Sequence, residues 1–415
     1  MPSLEPVVLA CGADDNYAMP LAVTLHSTLV HLSADRDVVV CIIDGGIAEE
    51  RRAKLEQTVE CARPGATLVW HEPDMADLGD LWVAGHVTAA AYFSLLVPEA
   101  VPDSHGKAIY LDSDLLVEGD VAELWRVPLE GCTALAVQDY LIPYLGWPGG
   151  PRSLRSSEKR GRLPYYNCGV VVFDLTRWRS GRLSELVFRY LREHADELTF
   201  RDQEGLNAVL VGDMGSLDPK WNVSTSLLWL ERWPESPFKQ RMRGMREELL
   251  DAPGIWHFTG PSKPWHADFT HPAAERWHRH REQAGWPTSP TPGSGADVEA
   301  WLEDQRQSDR DIAAAVPANA ALILVSDTCR LPVSVEGRRA LPFLESGGVY
   351  QGNPLDDDAA IRELDRMRRS GSRFLAFDRS TFWWLEYYHG FADHLRAQHS
   401  CVRETDRVVV FELRA

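Results

Sequence analysis

Two aspartates separated by one residue, Asp112 and Asp114, are the residues of this chain whose type and spacing best suit chemistry. They follow a short apolar run, Ala108–Leu111, and hydrophobic character resumes at Leu115–Val117. Side chains two residues apart on an extended chain point the same way, so both carboxylates can face one point in space. Such a pair suits a hard divalent cation whose open coordination positions are filled by nucleotide phosphates. An ordinary turn after a strand is the alternative.

Strands and helices alternate in the first part of the chain, and this order predicts the sheet that positions the two acids. Buried strands are predicted at Val7–Cys11, Val38–Ile43 and Thr67–Trp70. Helices are predicted at Pro20–Leu32, Glu49–Cys61 and Thr88–Leu96, the last ending at Pro98. The fold class is therefore α/β, with a mostly parallel central sheet flanked by helices. Ligands of such sheets bind outside the carboxyl ends of the strands, which is where the two aspartates lie.

The loop after the first strand, Ala13–Tyr17, offers an acid, an amide and an aromatic ring. These groups could hydrogen-bond and stack a nucleobase. Capping of the following helix by Asp14 or Asp15 is the alternative. Farther along, Asp202 begins a helical turn, where it is either a cap or a site residue.

A second loop, Ile255–Trp265, places a histidine after a short strand and then a glycine and a lysine next to proline. His257 could supply a metal ligand, Gly260 a backbone amide, and Lys263 a cation for a phosphate. A surface loop with a buried tryptophan is the alternative.

A third segment, Leu141–Pro164, is basic and rich in proline and glycine, in a chain of net charge −18. Such a segment is either a disordered surface loop or a mobile lid that meets an anion. The overall acidity argues against nonspecific binding to nucleic acid or anionic lipid.

The length of 415 residues predicts two domains. A proline- and serine-rich run indicates a linker over residues 286–296, between a domain at 1–285 and a smaller α/β domain of unknown role at 297–415. In the smaller domain we predict helices at about Asp297–Ala315, Asp356–Arg369 and Thr381–Gln398, and strands at Ala321–Val325, Arg373–Phe377 and Arg407–Leu413. We expect no signal peptide and no transmembrane segment, seven reduced cysteines and a cytoplasmic, bacterial protein that could form oligomers.

Five motifs in a fixed order resemble the retaining glycosyltransferases of family eight. They are Ala13–Tyr17, Asp112-Ser113-Asp114, Asn167–Gly169, Asp202-Gln203, and His257 with Lys263-Pro264-Trp265. This group has the Rossmann-like GT-A fold and includes bacterial lipopolysaccharide glucosyl- and galactosyltransferases and glycogenin. The resemblance covers Val7 to about Trp265. It implies a metal-dependent enzyme that moves a hexose from a UDP-sugar, UDP-glucose or UDP-galactose, to an acceptor that the sequence does not identify.

The resemblance also implies roles for individual residues. It implies metal ligands at Asp112, Asp114 and His257, with Mn²⁺ favoured over Mg²⁺ because an imidazole is among them. It implies catalytic roles for Gln203, close to the anomeric carbon, for Asp202, on the sugar hydroxyls, and for Lys263, on the diphosphate. The remaining contacts to the sugar nucleotide would come from Gly12, Ala13, Asp14, Asn16, Tyr17, Ser113, Asn167 and Gly260.

One position departs from the family pattern. Members commonly have Tyr-x-Arg-Leu before the central strand, whereas this chain has Tyr92-Phe93-Ser94-Leu95. We predict that Arg152 or Arg155 supplies the missing charge. Without it, the protein could be a weakened enzyme or a scaffold that binds UDP-sugars. A nucleotidyltransferase is a further alternative, although the acidic loop Ala13–Tyr17 is unlike the basic triphosphate loop that such an enzyme needs.

Overall fold

The computed structural model describes residues 5–73, 89–147, 150–155, 157, 159–195, 201–232, 236–259, 263–266, 269, 271–286, 307–325, 334–335, 338–343, 345–346, 349–350, 354, 356–378, 381–382, 384–385 and 388–414. The chain divides into two compact units, residues 1–228 with 241–291 and residues 229–240 with 292–415. Apart from Trp286, the predicted linker lies outside the described residues.

A seven-stranded sheet forms the centre of the first unit in the described part of the chain. Its strands are β1 Val7–Ala13, β2 Val38–Asp44, β3 Thr67–His71, β4 Lys107–Leu111, β6 Ala134–Gln138, β7 Tyr166–Asp174 and β8 Met214–Ser216. They lie in the order β3-β2-β1-β4-β7-β6-β8. Only β7 runs antiparallel to its neighbours β4 and β6; the other pairs are parallel. The mostly parallel central sheet predicted from the sequence is confirmed.

Helices connect and cover these strands. Their bounds are α1 Ala18–His31, α2 Glu49–Ala62, α3 Val97–Ala100, α4 Val121–Arg126, α5 Arg152–Arg155, α6 Leu175–Ser180, α7 Leu183–Glu193, α8 Asp202–Val209, α9 Pro237–Asp251 and α10 Ala274–Gln283. Short 3-10 helices cover Asp15–Tyr17, Ala89–Leu96, Arg160–Arg162, Pro219–Asn222 and Thr225–Arg232.

The prediction that a helix stops at Pro98 is wrong. The 3-10 helix Ala89–Leu96 passes directly into α3, and Pro98 lies in the first turn of α3. The missing amide of proline has no helical partner to lose at that position, so proline is well tolerated there.

A second, small sheet of the first unit brings His257 close to the segment that contains Asp112 and Asp114. It contains β5 Leu115–Val117, β9 Val223–Ser224 and β10 Ile255–His257, in the order β5-β10-β9. Because β10 runs antiparallel to β5, His257 pairs with Leu115, the residue after Asp114. This pairing brings together residues that are more than 140 positions apart in the sequence.

The second unit has its own α/β architecture in the described residues. A six-stranded sheet has the order β12-β13-β11-β16-β18-β17, with β11 Ala321–Val325, β12 Ser334–Val335, β13 Arg338–Pro342, β16 Ser372–Asp378, β17 Ser400–Glu404 and β18 Val408–Glu412. A hairpin of β14 Glu345–Ser346 and β15 Val349–Tyr350 and the helices α11 Asp357–Arg369 and α12 His389–Gln398 complete it. Residues 307–315 are helical as predicted, whereas 297–306 lie outside the described residues.

One predicted helix of the second unit is interrupted. The prediction runs from Thr381 to Gln398; Trp384 and Leu385 are helical, but the backbone of Tyr388 is not, and α12 begins at His389. Trp384 and Tyr388 are buried in the hydrophobic core of the unit. The structure shows no candidate for a membrane-spanning helix within the described residues.

A buried hydroxyl ties α1 to the segment that contains the paired acids. Oγ1 of Thr24 accepts a hydrogen bond from the amide of Leu115 (3.1 Å) and lies 2.9 Å from the carbonyl oxygen of Ser113. We therefore expect Thr24→Val to lower the free energy of unfolding by about 1–3 kcal/mol, because it leaves a buried amide without a partner. Urea unfolding measures the change.

The matched control is Thr28→Val. The hydroxyl of Thr28 is also buried, but it donates only to the carbonyl of Thr24 within the same helix, as far as the described contacts go. We expect Thr28→Val to lower the free energy of unfolding by less than half as much as Thr24→Val. Equal losses in the two variants would contradict a role for Thr24 in holding this segment.

Candidate active site

Asp112, Asp114 and His257 converge on one point at the carboxyl end of the central strands. Nε2 of His257 lies 3.6 Å from Oδ2 of Asp112 and 3.4 Å from Oδ1 of Asp114. One potential ligand atom from each of the three residues lies within 4.8 Å of the other two. Among the described residues, this is the one cluster of acids, histidines and cysteines that could hold a metal ion. The structure thus brings together the three predicted ligands.

The backbone fixes each member of this cluster. The amide of Asp112 donates to the carbonyl of Gly169 on β7 (2.8 Å), and the amide of Phe258 donates to the carbonyl of Asp114 (3.1 Å). The hydroxyl of Tyr110 donates to Oδ1 of Asp112 (2.9 Å). The three side chains therefore sit on strand ends that pair with one another rather than on independent loops.

Burial and mutual repulsion make the two acids sensitive to a cation. Burial raises the pKa of Asp112 to about 6, and the neighbouring charge of Asp114 adds to this rise. Burial also opposes the charged form of Asp114, but the Lys263 ammonium and His257 hold its pKa below the usual range. The side chain of Lys263 is 11% exposed. Its Nζ lies 2.5 Å from Oδ2 of Asp114 and donates to the carbonyl of Phe258. The positive charge of Lys263 therefore already lies next to the two acids.

The surroundings of His257 suit a metal ligand. Its Nδ1 lies 3.0 Å from the side-chain oxygen of Asn222, which accepts the Nδ1 proton. In the neutral imidazole, this leaves the lone pair of Nε2 facing the two carboxylates. Two carboxylates and an imidazole form a donor set for Mn²⁺ or a similar divalent ion, and the residues present fit such an ion.

A chain of side-chain hydrogen bonds runs from His257 to Gln203. Nδ2 of Asn222 donates to Oδ1 of Asn167 (2.8 Å), and Nδ2 of Asn167 donates to Oδ2 of Asp139 (3.1 Å). Nε2 of Gln203 donates to the same Oδ2 (3.3 Å). We call these four residues, Asn222, Asn167, Asp139 and Gln203, the amide chain. Through it, the imidazole of His257 and the carboxamide of Gln203 have fixed orientations relative to each other.

Two members of the amide chain, Asn222 and Asp139, were not among the predicted site residues. Asp139 immediately follows β6, as Asp112 follows β4, and this position in the sequence could have indicated it. Asn222 gives no comparable signal, because it lies at the end of the 3-10 helix Pro219–Asn222 and only the tertiary fold brings it to His257.

Asp202 and Gln203 begin helix α8 and lie beside the cluster. Oδ2 of Asp202 accepts a hydrogen bond from the hydroxyl of Ser94 (2.8 Å), and Oε1 of Gln203 accepts one from the amide of Cys168 (3.1 Å). Burial raises the pKa of Asp202 to about 7, and the Ser94 hydrogen bond opposes that rise. The side chain of Asp202 thus makes a contact outside its own helix and does not act only as a cap.

The loop Ala13–Tyr17, predicted to bind the nucleobase, makes hydrogen bonds within the protein. Oδ1 of Asp14 accepts from the amide of Tyr17 (3.0 Å) and caps the 3-10 helix Asp15–Tyr17, whereas the carboxylate of Asp15 accepts from the amide of Ala48 and pairs with Arg51 of α2. The side chain of Asn16 is exposed. The ring of Tyr17 packs edge-on against Trp265, with centroids 5.5 Å apart. Contacts of this loop with a uracil ring remain a prediction.

Other predicted residues are placed as follows. Gly12 and Ala13 are buried at the end of β1, and the hydroxyl of Ser113 donates to the carbonyl of Gly12 (2.5 Å). Gly260 lies outside the described residues, as do the side chains of Arg152 and Arg155. The segment 141–164 contains a short helix and a 3-10 turn, and its Ile142, Leu145 and Leu154 form a hydrophobic cluster with Tyr165, so the part that the structure describes is folded.

Comparison with known proteins identifies the family. The model of "Glycosyl transferase family 8" matches residues 8–268, well over half of the chain. The chain belongs to glycosyl transferase family 8. It is therefore a glycosyltransferase, as its sequence motifs predicted.

Relatives of this family 8 glycosyltransferase resemble it over most of their length. General stress protein A of Bacillus subtilis (strain 168) is 30% identical over 288 residues, which are 69% of this chain and 96% of that protein. Lipopolysaccharide 1,2-glucosyltransferase of Escherichia coli (strain K12) is 23% identical over 290 residues, 68% of this chain and 79% of that protein.

A solved structure shows the same fold. The galactosyltransferase LgtC, solved in complex with donor and acceptor sugar analogs, superimposes with a TM-score of 0.55 and 24% identity. The match covers 69% of this chain and 98% of LgtC. The predicted GT-A fold is confirmed.

Gly169 provides a test of the cluster. A Cβ atom at this position would overlap the imidazole of His257 and lie 2.7 Å from Oδ2 of Asp112. We expect Gly169→Ala to displace these groups and to weaken Mn²⁺ binding at least about tenfold, since metal sites tolerate little displacement of their ligands. Isothermal titration calorimetry with MnCl₂ measures the affinity.

Gly244→Ala is the matched control, because a Cβ atom there meets nothing within 4 Å. Its affinity for Mn²⁺ should equal that of the unmodified protein. Full Mn²⁺ affinity in Gly169→Ala would show that the ion binds elsewhere.

Proposed function

We propose that this chain is a metal-dependent, retaining glycosyltransferase that moves a hexose from UDP-glucose or UDP-galactose to an acceptor. The observation that supports this most is the convergence of two acids and an imidazole at the carboxyl end of the central strands. The family assignment supplies the transferase chemistry, and the cluster supplies a place for a cation that could bind a nucleotide diphosphate.

The chemistry of donor cleavage agrees with this arrangement. Breaking the bond between the anomeric carbon and UDP puts negative charge on the diphosphate and positive charge on the sugar ring. A bound Mn²⁺ or Mg²⁺ ion would supply positive charge at the diphosphate. Lys263 is the second cation of the site, and its ammonium group can leave Asp114 for the diphosphate when a cation takes its place.

The side chains near Gln203 favour front-face attack over a covalent intermediate. Oδ1 of Asp139 accepts from the amides of Leu141 and Ile142, and its Oδ2 accepts from Asn167 and Gln203. A carboxylate with four donors is a poor nucleophile. Gln203, a neutral amide, is poorer still. We therefore propose that the acceptor hydroxyl attacks the anomeric carbon from the face that the diphosphate leaves and gives its proton to the departing diphosphate, while Asp202 holds the sugar hydroxyls.

The acceptor is the open part of the proposal. The name of one relative, a lipopolysaccharide 1,2-glucosyltransferase, supports a saccharide acceptor. A lipid-linked sugar, a natural product or a protein would meet the same donor chemistry. We also propose that Arg152 or Arg155 compensates for the charge absent at Ser94, and that neutralising both lowers affinity for UDP-sugars.

UDP release is the direct test of the activity. The protein should release UDP from UDP-glucose or UDP-galactose in the presence of Mn²⁺, and chelation of the metal should abolish release. Asp114→Asn should lower the rate about 100-fold or more, because the charge of a ligand is lost. Asp103→Asn is the control, since that side chain is 99% exposed and precedes β4, whereas Asp112 and Asp114 follow β4.

The outcomes separate the alternatives. Binding of UDP-sugars without any UDP release would indicate a binding protein. Pyrophosphate release from a sugar phosphate and UTP would indicate a nucleotidyltransferase. UDP release that Asp114→Asn leaves intact would contradict the proposed site.

Replacing Lys263 should change the affinity for Mn²⁺ and the affinity for UDP in opposite directions. In the structure it is an ion-pair partner of Asp114, so it competes with a metal ion for that carboxylate. We expect Lys263→Met to tighten the binding of Mn²⁺ alone by roughly threefold to tenfold and to weaken the binding of UDP in saturating Mn²⁺ by a similar factor. Calorimetric titrations with each ligand measure both. A change of the same sign for both ligands would contradict the proposed exchange of partners.

A further inference from the structure

Ser94 lies in a rigid and fully buried part of the first unit. It belongs to the 3-10 helix Ala89–Leu96 and is 1% exposed, and its neighbours Phe93 and Leu95 are completely buried. The ring of Phe93 packs against Gly12 at the end of β1 and against Gly45 after β2, where a Cβ atom would lie 2.5 and 2.6 Å from ring atoms. The backbone that presents the hydroxyl of Ser94 is therefore fixed by the central sheet.

The hydroxyl of Ser94 points to Asp202. Its Oγ donates to Oδ2 of Asp202 at 2.8 Å, and no other polar partner of this hydroxyl occurs among the described residues. A buried hydroxyl contributes little to apolar packing, and its value lies in the group to which it donates. Here that group is the buried carboxyl group of Asp202, so the hydrogen bond fixes the orientation of that group.

The backbone immediately before α8 is strained. Arg201, the residue before Asp202, has φ 46° and ψ −109°, a conformation that a non-glycine residue rarely adopts, and its side chain makes no capping hydrogen bond to the helix. Asp202 directs its carboxylate to Ser94. The side chain next to it, Gln203, is held separately by Asp139 and by the amide of Cys168.

We propose that Ser94 is a positioning residue that fixes the carboxylate of Asp202 against the hexose of the sugar nucleotide. The inference rests on the proposed function, because Asp202 acts on the sugar only if the chain binds a UDP-hexose. Ser94 then determines affinity for the sugar part of the donor and leaves affinity for UDP unchanged. At the same position a larger cationic side chain could contact the diphosphate, whereas serine reaches only Asp202.

The test compares UDP with a UDP-hexose in the same variants. Calorimetry in saturating Mn²⁺ gives the affinities of the full chain for UDP and for whichever of UDP-glucose and UDP-galactose the unmodified protein binds more tightly. Ser94→Ala should weaken binding of the UDP-hexose by about threefold to tenfold and change the affinity for UDP by less than about twofold. Ser94→Thr, which keeps the hydroxyl, should recover at least half of the lost affinity on a logarithmic scale.

Ser184→Ala is the matched control. The hydroxyl of Ser184 donates to the carbonyl of Leu95, the residue after Ser94, but has no contact with Asp202 in the structure. It should leave both affinities unchanged.

The results distinguish failure of the inference from failure of the proposed function. Unchanged affinity of Ser94→Ala for the UDP-hexose, an equal loss for UDP and the UDP-hexose, or the same loss in Ser184→Ala would overturn the role of Ser94 while the proposed function stands. No binding of UDP or UDP-hexose by the unmodified protein would overturn both. The selective loss, with recovery in Ser94→Thr, supports the inference.

Discussion

The repulsion between Asp112 and Asp114 is the constraint on which the site depends. Two unit charges at most 4.8 Å apart repel by roughly 3 kcal/mol or more at an effective dielectric constant of about 20. Burial adds a further cost for each charge. The fold offsets part of this cost with His257 and Lys263, whose nitrogen atoms lie 2.5–3.6 Å from carboxylate oxygens of the two acids. A divalent cation would offset more of it, and two carboxylates with an imidazole are ligands that such an ion takes, so we interpret the cluster as a metal site rather than as a structural ion pair.

The architecture around the acids follows from the need to hold them in place. Pairing of β10 with β5 brings His257 to Asp114, and the side chains of His257 and Asp112 can lie close to β7 because residue 169 is a glycine. The amide chain then extends this order from His257 to Gln203. His257, a proposed metal ligand, and Gln203, which we propose lies near the anomeric carbon, thus belong to one connected network. Such pre-organisation reduces the reorganisation needed when a donor binds.

The sequence predicted the features that depend on local pattern. Alternation of apolar runs and helical spacing gave the parallel sheet, and the position of Asp112 and Asp114 after β4 gave the place of the site. His257 could be predicted as a metal ligand because it ends a strand and is followed by a lysine and a proline, in an order that resembles a known family. For Asp14, the structure shows the capping role that the sequence left open as an alternative.

Features that depend on tertiary packing were not predictable in the same way. Asn222 contacts His257 only because β9 and β10 are neighbours, and nothing in the sequence around it indicates that partner. The interruption before α12 was not predicted, because the helical spacing of the aromatic residues continues through Tyr388, whose backbone is not helical. The contact between Ser94 and Asp202 spans 108 positions, and the sequence showed only that an expected arginine was absent.

The most direct test of the central claim is the position of the metal ion itself. Crystals grown with MnCl₂ and UDP, measured at the manganese absorption edge, give an anomalous difference map that locates the ion without reference to activity. The account predicts a single strong peak within about 2.0–2.3 Å of a carboxylate oxygen of Asp112, a carboxylate oxygen of Asp114 and Nε2 of His257. A peak that lies away from these three side chains, or density for UDP with no peak beside it, would contradict the account.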